Sequence, residues 1–156
     1  MKRIFFTSAV VLLLAACGKD KFETKPRFVL KSQSASFVPI GNNLRLVFEY
    51  TDKEGDVNDT LYFKKERLNL RKVATVRDSL PLIVPDFPHT PKGEIVLNLD
   101  YQTYLISAQE APRANPGQLP EKFESDTLNL KFVLKDKAGN KSDTVRVDNV
   151  IIERTS

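Results

Sequence analysis

LRLVFEYTDKEGDVNDTLYF, residues 44–63, aligns without a gap on LNLKFVLKDKAGNKSDTVRV, residues 128–147. Eight of the twenty positions are identical: Leu44/Leu128, Leu46/Leu130, Phe48/Phe132, Asp52/Asp136, Lys53/Lys137, Gly55/Gly139, Asp59/Asp143 and Thr60/Thr144. Both copies alternate at period two. Leu44, Leu46, Phe48 and Tyr50 share one face, as do Leu128, Leu130, Phe132 and Leu134, which is the pattern of half-buried antiparallel strands. Each copy then reaches Asp-Lys-X-Gly. Asp52 and Asp136 stand where an aspartate accepts from the amides of its own turn, and Gly55 and Gly139 where positive φ is wanted. The expectation is a pair of matching hairpins, with return strands opening at Thr60 and Thr144.

Further short strand candidates lie at 27–31, 36–38, 72–77, 80–84 and 94–106, the last with Ile95, Leu97, Leu99 and Tyr101 on one face. Separators at 85–93 and 108–126 are rich in turn formers, and helical periodicity is lacking. These features predict an all-β, antiparallel β-sandwich of about seven or eight strands.

The alternating acids around Gly55 also raise calcium. Such a loop needs six or more oxygens, and the EF-hand version has glycine at position 6 and a bidentate glutamate at position 12. Counting from Asp52, the glycine falls at position 4 and position 12 is Phe63. The second copy keeps Asp136, Lys137 and Gly139 but replaces Glu54 by Ala138 and Asp56 by Asn140, so the copies share turn chemistry and not a ligand count. A structural turn without cofactor is therefore expected; in a calcium loop the ligands would be Asp52, Glu54, Asp56 and Asn58.

The chain opens MKRIFFTSAVVLLLAACGKDK: a basic pair, Lys2 and Arg3, an uncharged run over 4–14, and small residues before Cys17. That is the build of a secretory signal, and the run is well short of the roughly 20 residues of a membrane span. Leu14-Ala15-Ala16-Cys17 closely resembles the lipobox of bacterial lipoproteins, which implies cleavage before Cys17 and acylation of its thiol and new amino group. Two or three acyl chains hold a protein stably on a bilayer where one does not. Gly18, where the resemblance would place an aspartate for inner-membrane retention, points to the outer membrane, on its periplasmic or surface face. The organisation expected is a signal peptide over 1–16, a lipidated tether over 17–26 and one domain over 27–156.

FVLKDKAGNKSDTVRVDNVII, residues 132–152, resembles the closing hairpin of bacterial immunoglobulin-like and cadherin-like repeats, which implies an immunoglobulin-like sandwich. A single unit on a lipidated tether is similar to the small envelope lipoproteins of Bacteroidota. Asp59-Thr60-Leu61, Asp78-Ser79-Leu80, Asp126-Thr127-Leu128 and Asp143-Thr144-Val145 resemble the O-glycosylation site of that phylum, which implies sugars on Thr60, Ser79, Thr127 and Thr144. The plain reading of the same tripeptides is a turn aspartate ahead of a strand.

Removal of Lys2 and Arg3 leaves 22 basic against 20 acidic residues, and the mature chain has no basic cluster to suggest a nucleic-acid partner. One histidine, His89, in a proline-rich loop, and one cysteine remove His/Cys zinc sites and most histidine-based triads. The acids fall in turns, so an enzyme is not expected. The expectation is a non-catalytic, lipid-anchored envelope module that binds or scaffolds another envelope protein or a ligand. The alternative is a glycan-binding accessory of a polysaccharide-utilisation system, whose stacking groups, without tryptophan, would be Tyr50, Tyr62, Tyr101 and Tyr104.

Overall fold

The computed structural model describes residues 24–155. Its eight strands are β1 (Arg27–Gln33), β2 (Phe37–Val38), β3 (Leu44–Thr51), β4 (Thr60–Arg67), β5 (Ser79–Ile83), β6 (Lys92–Leu99), β7 (Asp126–Lys135) and β8 (Val145–Ile152). They form a three-stranded sheet, β1-β3-β6, and a five-stranded sheet, β2-β8-β7-β4-β5. The chain is therefore an all-β sandwich. All pairings are antiparallel except β2 with β8, a two-residue parallel contact.

The alternating residues do what their period requires: Leu44, Leu46, Phe48, Tyr50, Leu128, Leu130, Phe132 and Leu134 are all buried between the sheets. Phe48 and Phe132, equivalent in the two copies, come from opposite sheets and meet with ring centroids 5.0 Å apart. Phe48 also stacks on Phe28 at 4.5 Å, and Phe132 on Phe63 at 5.1 Å. These spacings lie in the favourable range for aromatic pairs and tie the sheets at the centre of the core.

The two copies do not make matching hairpins. The second does: Phe132 pairs with Val145, Lys135 bridges to Lys141, and the Ser142 amide donates to the Leu134 carbonyl. In the first, β3 and β4 belong to different sheets. Phe48 pairs with Leu30 and Ile95, while Leu61 pairs with Leu82 and Leu134. The physical reason sits in the loop. Val57 is fully buried where the second copy has exposed Lys141, so an apolar side chain draws the first loop over the core and carries the chain from one sheet to the other. The loop is held there by the Asp52 amide donating to the Pro91 carbonyl and by Asn58 Nδ2 donating to Asp86 Oδ1 at 2.5 Å.

Two other expected strands are corrected. Residues 72–77 contribute only an isolated bridge, Thr75 with Ala108. The strand expected over 94–106 stops at Leu99, and Tyr101–Leu105 form a single π-helical turn capped by Asp100, whose Oδ1 accepts from the Thr103 amide at 2.8 Å. Tyr101 and Leu105 both turn into the core while Thr103 is exposed, so the turn carries outward a polar residue that a continued strand would have put on their face.

Candidate functional site

Two groups of ionisable side chains lie within the fold, and the protein satisfies them differently. The first surrounds Asp126, the fully buried first residue of β7. Its Oδ1 accepts from Arg67 Nε at 2.7 Å. Its Oδ2 accepts from Arg154 Nη1 at 2.6 Å and from the amides of Ser107 and Ala108, each at 3.1 Å. Arg67 also reaches Glu124, at 2.9 Å. Burial alone would raise the Asp126 pKa, but these four donors outweigh it and hold the carboxyl below its ordinary range. Lys65 is buried nearby, its ammonium donating to the Ile106 carbonyl, and burial pushes its pKa down to about 8.

The second group is built by the two Asp-Lys-X-Gly turns. β3 ends at Thr51 and β7 at Lys135, so Asp52 and Asp136 are the first residues beyond equivalent strands of opposite sheets. The turns touch where the Lys137 amide donates to the Asp56 carbonyl at 3.1 Å. Asp52 Oδ2 accepts from the amides of Gly55 at 2.8 Å and Asp56 at 3.3 Å. Asp136 accepts from the Asn140 amide at 2.7 Å and from Asn140 Nδ2 at 2.9 Å. Gly55 and Gly139 stand at φ of 69° and 93°. This is turn chemistry, yet it brings one carboxylate oxygen each from Asp52, Asp56 and Asp136 within 4.8 Å of one another.

Among the described residues no lysine or arginine forms an ion pair with these three acids. Lys135 is paired with Asp59 at 2.7 Å and Lys137 with Asp86 at 3.5 Å. Asp52 Oδ1, Asp56 Oδ1 and Asn58 Oδ1 are buried without a donor. Burial raises the Asp52 pKa; the Gly55 and Asp56 amides oppose the rise, and the charges of Asp56 and Asp136 add to it. The arrangement concentrates negative charge and oxygen lone pairs at one end of the sandwich, where hard cations are the matching chemistry.

Of the four calcium ligands considered from sequence, Asp52 and Asp56 converge and Glu54 is exposed outside the cluster. Asn58 is buried with its amide nitrogen on Asp86. Asp136, read from sequence only as a turn residue, is the member that was missed; the signal for it was its equivalence to Asp52. His89 is exposed in its loop. Cavities of about 270 and 500 Å³ open beside the segments at 64–78 and 109–112, and none of the three clustered acids lines either of them. Two of the four tyrosines are buried and two are accessible, Tyr62 exposed and Tyr104 half-buried. Tyr50 and Tyr101 are buried, their hydroxyls bonded to Thr90 Oγ1 and the Glu153 carbonyl, while Tyr62 lies under Lys141 Nζ on the outer face. Ser79 and Thr144 are exposed, and Thr60 and Thr127 half-buried. Cys17 lies outside the described residues, as do 1–16 and most of the tether. No protein-family model, no curated protein and no solved structure matches this chain.

Proposed function

We propose that this chain is a lipid-anchored, non-catalytic module of the bacterial cell envelope, held at the outer membrane through Cys17 and acting by binding an envelope protein or ligand. The observation that carries the reading is Leu14-Ala15-Ala16-Cys17 behind a short uncharged run, with the first strand of a single sandwich starting at Arg27, the tenth residue after the cysteine. A span of that length tethers a domain close to a bilayer. Binding is favoured over catalysis because the Asp52 and Asp136 carboxylates are engaged with their own turns and none of the three acids lines the cavities beside 64–78 and 109–112. The burial of Tyr50 and Tyr101 weighs against the glycan-binding alternative.

The test is Cys17→Ser. Because the acyl chains supply the membrane affinity, the variant should accumulate as uncleaved precursor or appear in the soluble fraction, with membrane-bound mature protein falling at least tenfold. A variant that is processed and sediments with membranes like the wild type would overturn the proposal.

A further inference from the structure

We infer that Asp52, Asp56 and Asp136 form a divalent-cation site, selective for calcium, that clips the two sheets together at one end of the sandwich. Three observations converge. The three carboxylates offer oxygens within 4.8 Å of one another, and among the described residues no cation pairs with any of them. Asp52, fully buried, spends Oδ2 on its turn and leaves Oδ1 with no donor in the company of the other two carboxylates. The same protein supplies Asp126, which is equally buried, with two guanidiniums and two amides. A fold that neutralises Asp126 so completely leaves Asp52 facing two like charges, and a bound cation removes that conflict.

The donor set selects the ion. All the available atoms are carboxylate or amide oxygens, which suit hard cations and not zinc or copper. Calcium takes oxygens at about 2.3–2.6 Å in flexible geometry, whereas magnesium demands a near-ideal octahedron at about 2.0–2.1 Å, and ligands drawn from two turns of opposite sheets match the more tolerant ion. Asn58 Oδ1, buried and unpartnered in the same loop, is a further oxygen close in sequence to Asp56. Asp52 follows a strand of one sheet and Asp136 a strand of the other, so the ion would oppose separation of the sheets and raise the stability of the folded state by mass action.

The experiment takes the full-length chain, stripped with EGTA, and follows thermal unfolding with calcium chloride, magnesium chloride or EGTA; calorimetric titration gives the stoichiometry. One calcium per chain is expected, with a Tm rise of about 3–6 °C at tenfold excess over Kd and a smaller response to magnesium. Asp56→Asn is the informative variant, because no hydrogen bond of the turn uses the Asp56 carboxylate. It should weaken calcium at least tenfold while its Tm in EGTA stays equal to or above that of the wild type. Asp136→Asn should also lose the shift, and Glu54→Gln should keep it. Coincident melts with calcium and EGTA together with no calorimetric site would overturn the inference, and so would a calcium shift that survives Asp136→Asn or disappears in Glu54→Gln. A Tm that moves with pH and not with calcium would overturn it in favour of a proton on the cluster.

Discussion

Asp126→Ala should remove about 3–5 kcal/mol of stability, the usual consequence of stripping one partner from a buried ion pair. The Arg67 and Arg154 side chains are only 5% and 3% exposed and share this carboxylate, and the Ser107 and Ala108 amides lose their acceptor with it. Since domains of this size are stable by about 5–15 kcal/mol, the loss is a large fraction of the total. A urea titration reads the loss directly as a fall in midpoint. A loss below about 1 kcal/mol would mean that the network contributes little. The sign of the pH dependence follows from the same contacts. The folded-state pKa of Asp126 lies below its unfolded value, so its contribution is fully present above about pH 4 and is lost as pH falls through the folded pKa. The wild type should therefore lose stability below that pH more steeply than the variant.

Gly55→Ala should cost about 3 kcal/mol or more, and Gly139→Ala only about 1. Both glycines hold positive φ, so both variants meet the strain of placing a side chain there. They differ in what surrounds them. A Cβ on Gly55 would stand 2.7 Å from the Thr90 backbone, which cannot yield as a side-chain tip can, whereas one on Gly139 would meet open space. Equal losses at the two positions would show that the first turn is not pressed against the 85–93 loop.

The same contrast explains how far the chain could be read in advance. Period-two alternation announces which residues of 44–50 and 128–134 are buried, because burial of one sheet face admits no other spacing. It does not announce which strands pair. Asp-Lys-X-Gly turns a chain equally well within a sheet or between sheets, and among the loop positions that differ, Val57 against Lys141 sets a buried side chain against an exposed one. The π-helical turn escaped because Tyr101 and Leu105 both continue the alternation of Ile95, Leu97 and Leu99, and only polar Thr103 between them carries the opposing signal. Asp126 was hidden among four Asp-Ser/Thr-apolar tripeptides whose plain reading is a turn, and only its partners Arg67 and Arg154, distant in sequence, reveal a buried strand residue. The acid cluster was half legible. Asp52 and Asp56 stand together in one loop, whereas in the sequence Asp136 is only the counterpart of Asp52 in the second copy. In three dimensions it is a neighbour of Asp52, supplied by the other copy.

The sheet crossover by the first copy underlies the position of Gly55, the meeting of the turns and the acid cluster, so pairing of β3 is the decisive observable. Cross-strand amide and Hα contacts measured by NMR on the full-length chain should connect Phe48 with Leu30 and Ile95, and Leu61 with Leu82 and Leu134, while connecting Phe132 with Val145. A cross-strand contact between Phe48 and Leu61, the counterpart of Phe132 with Val145, would contradict the account.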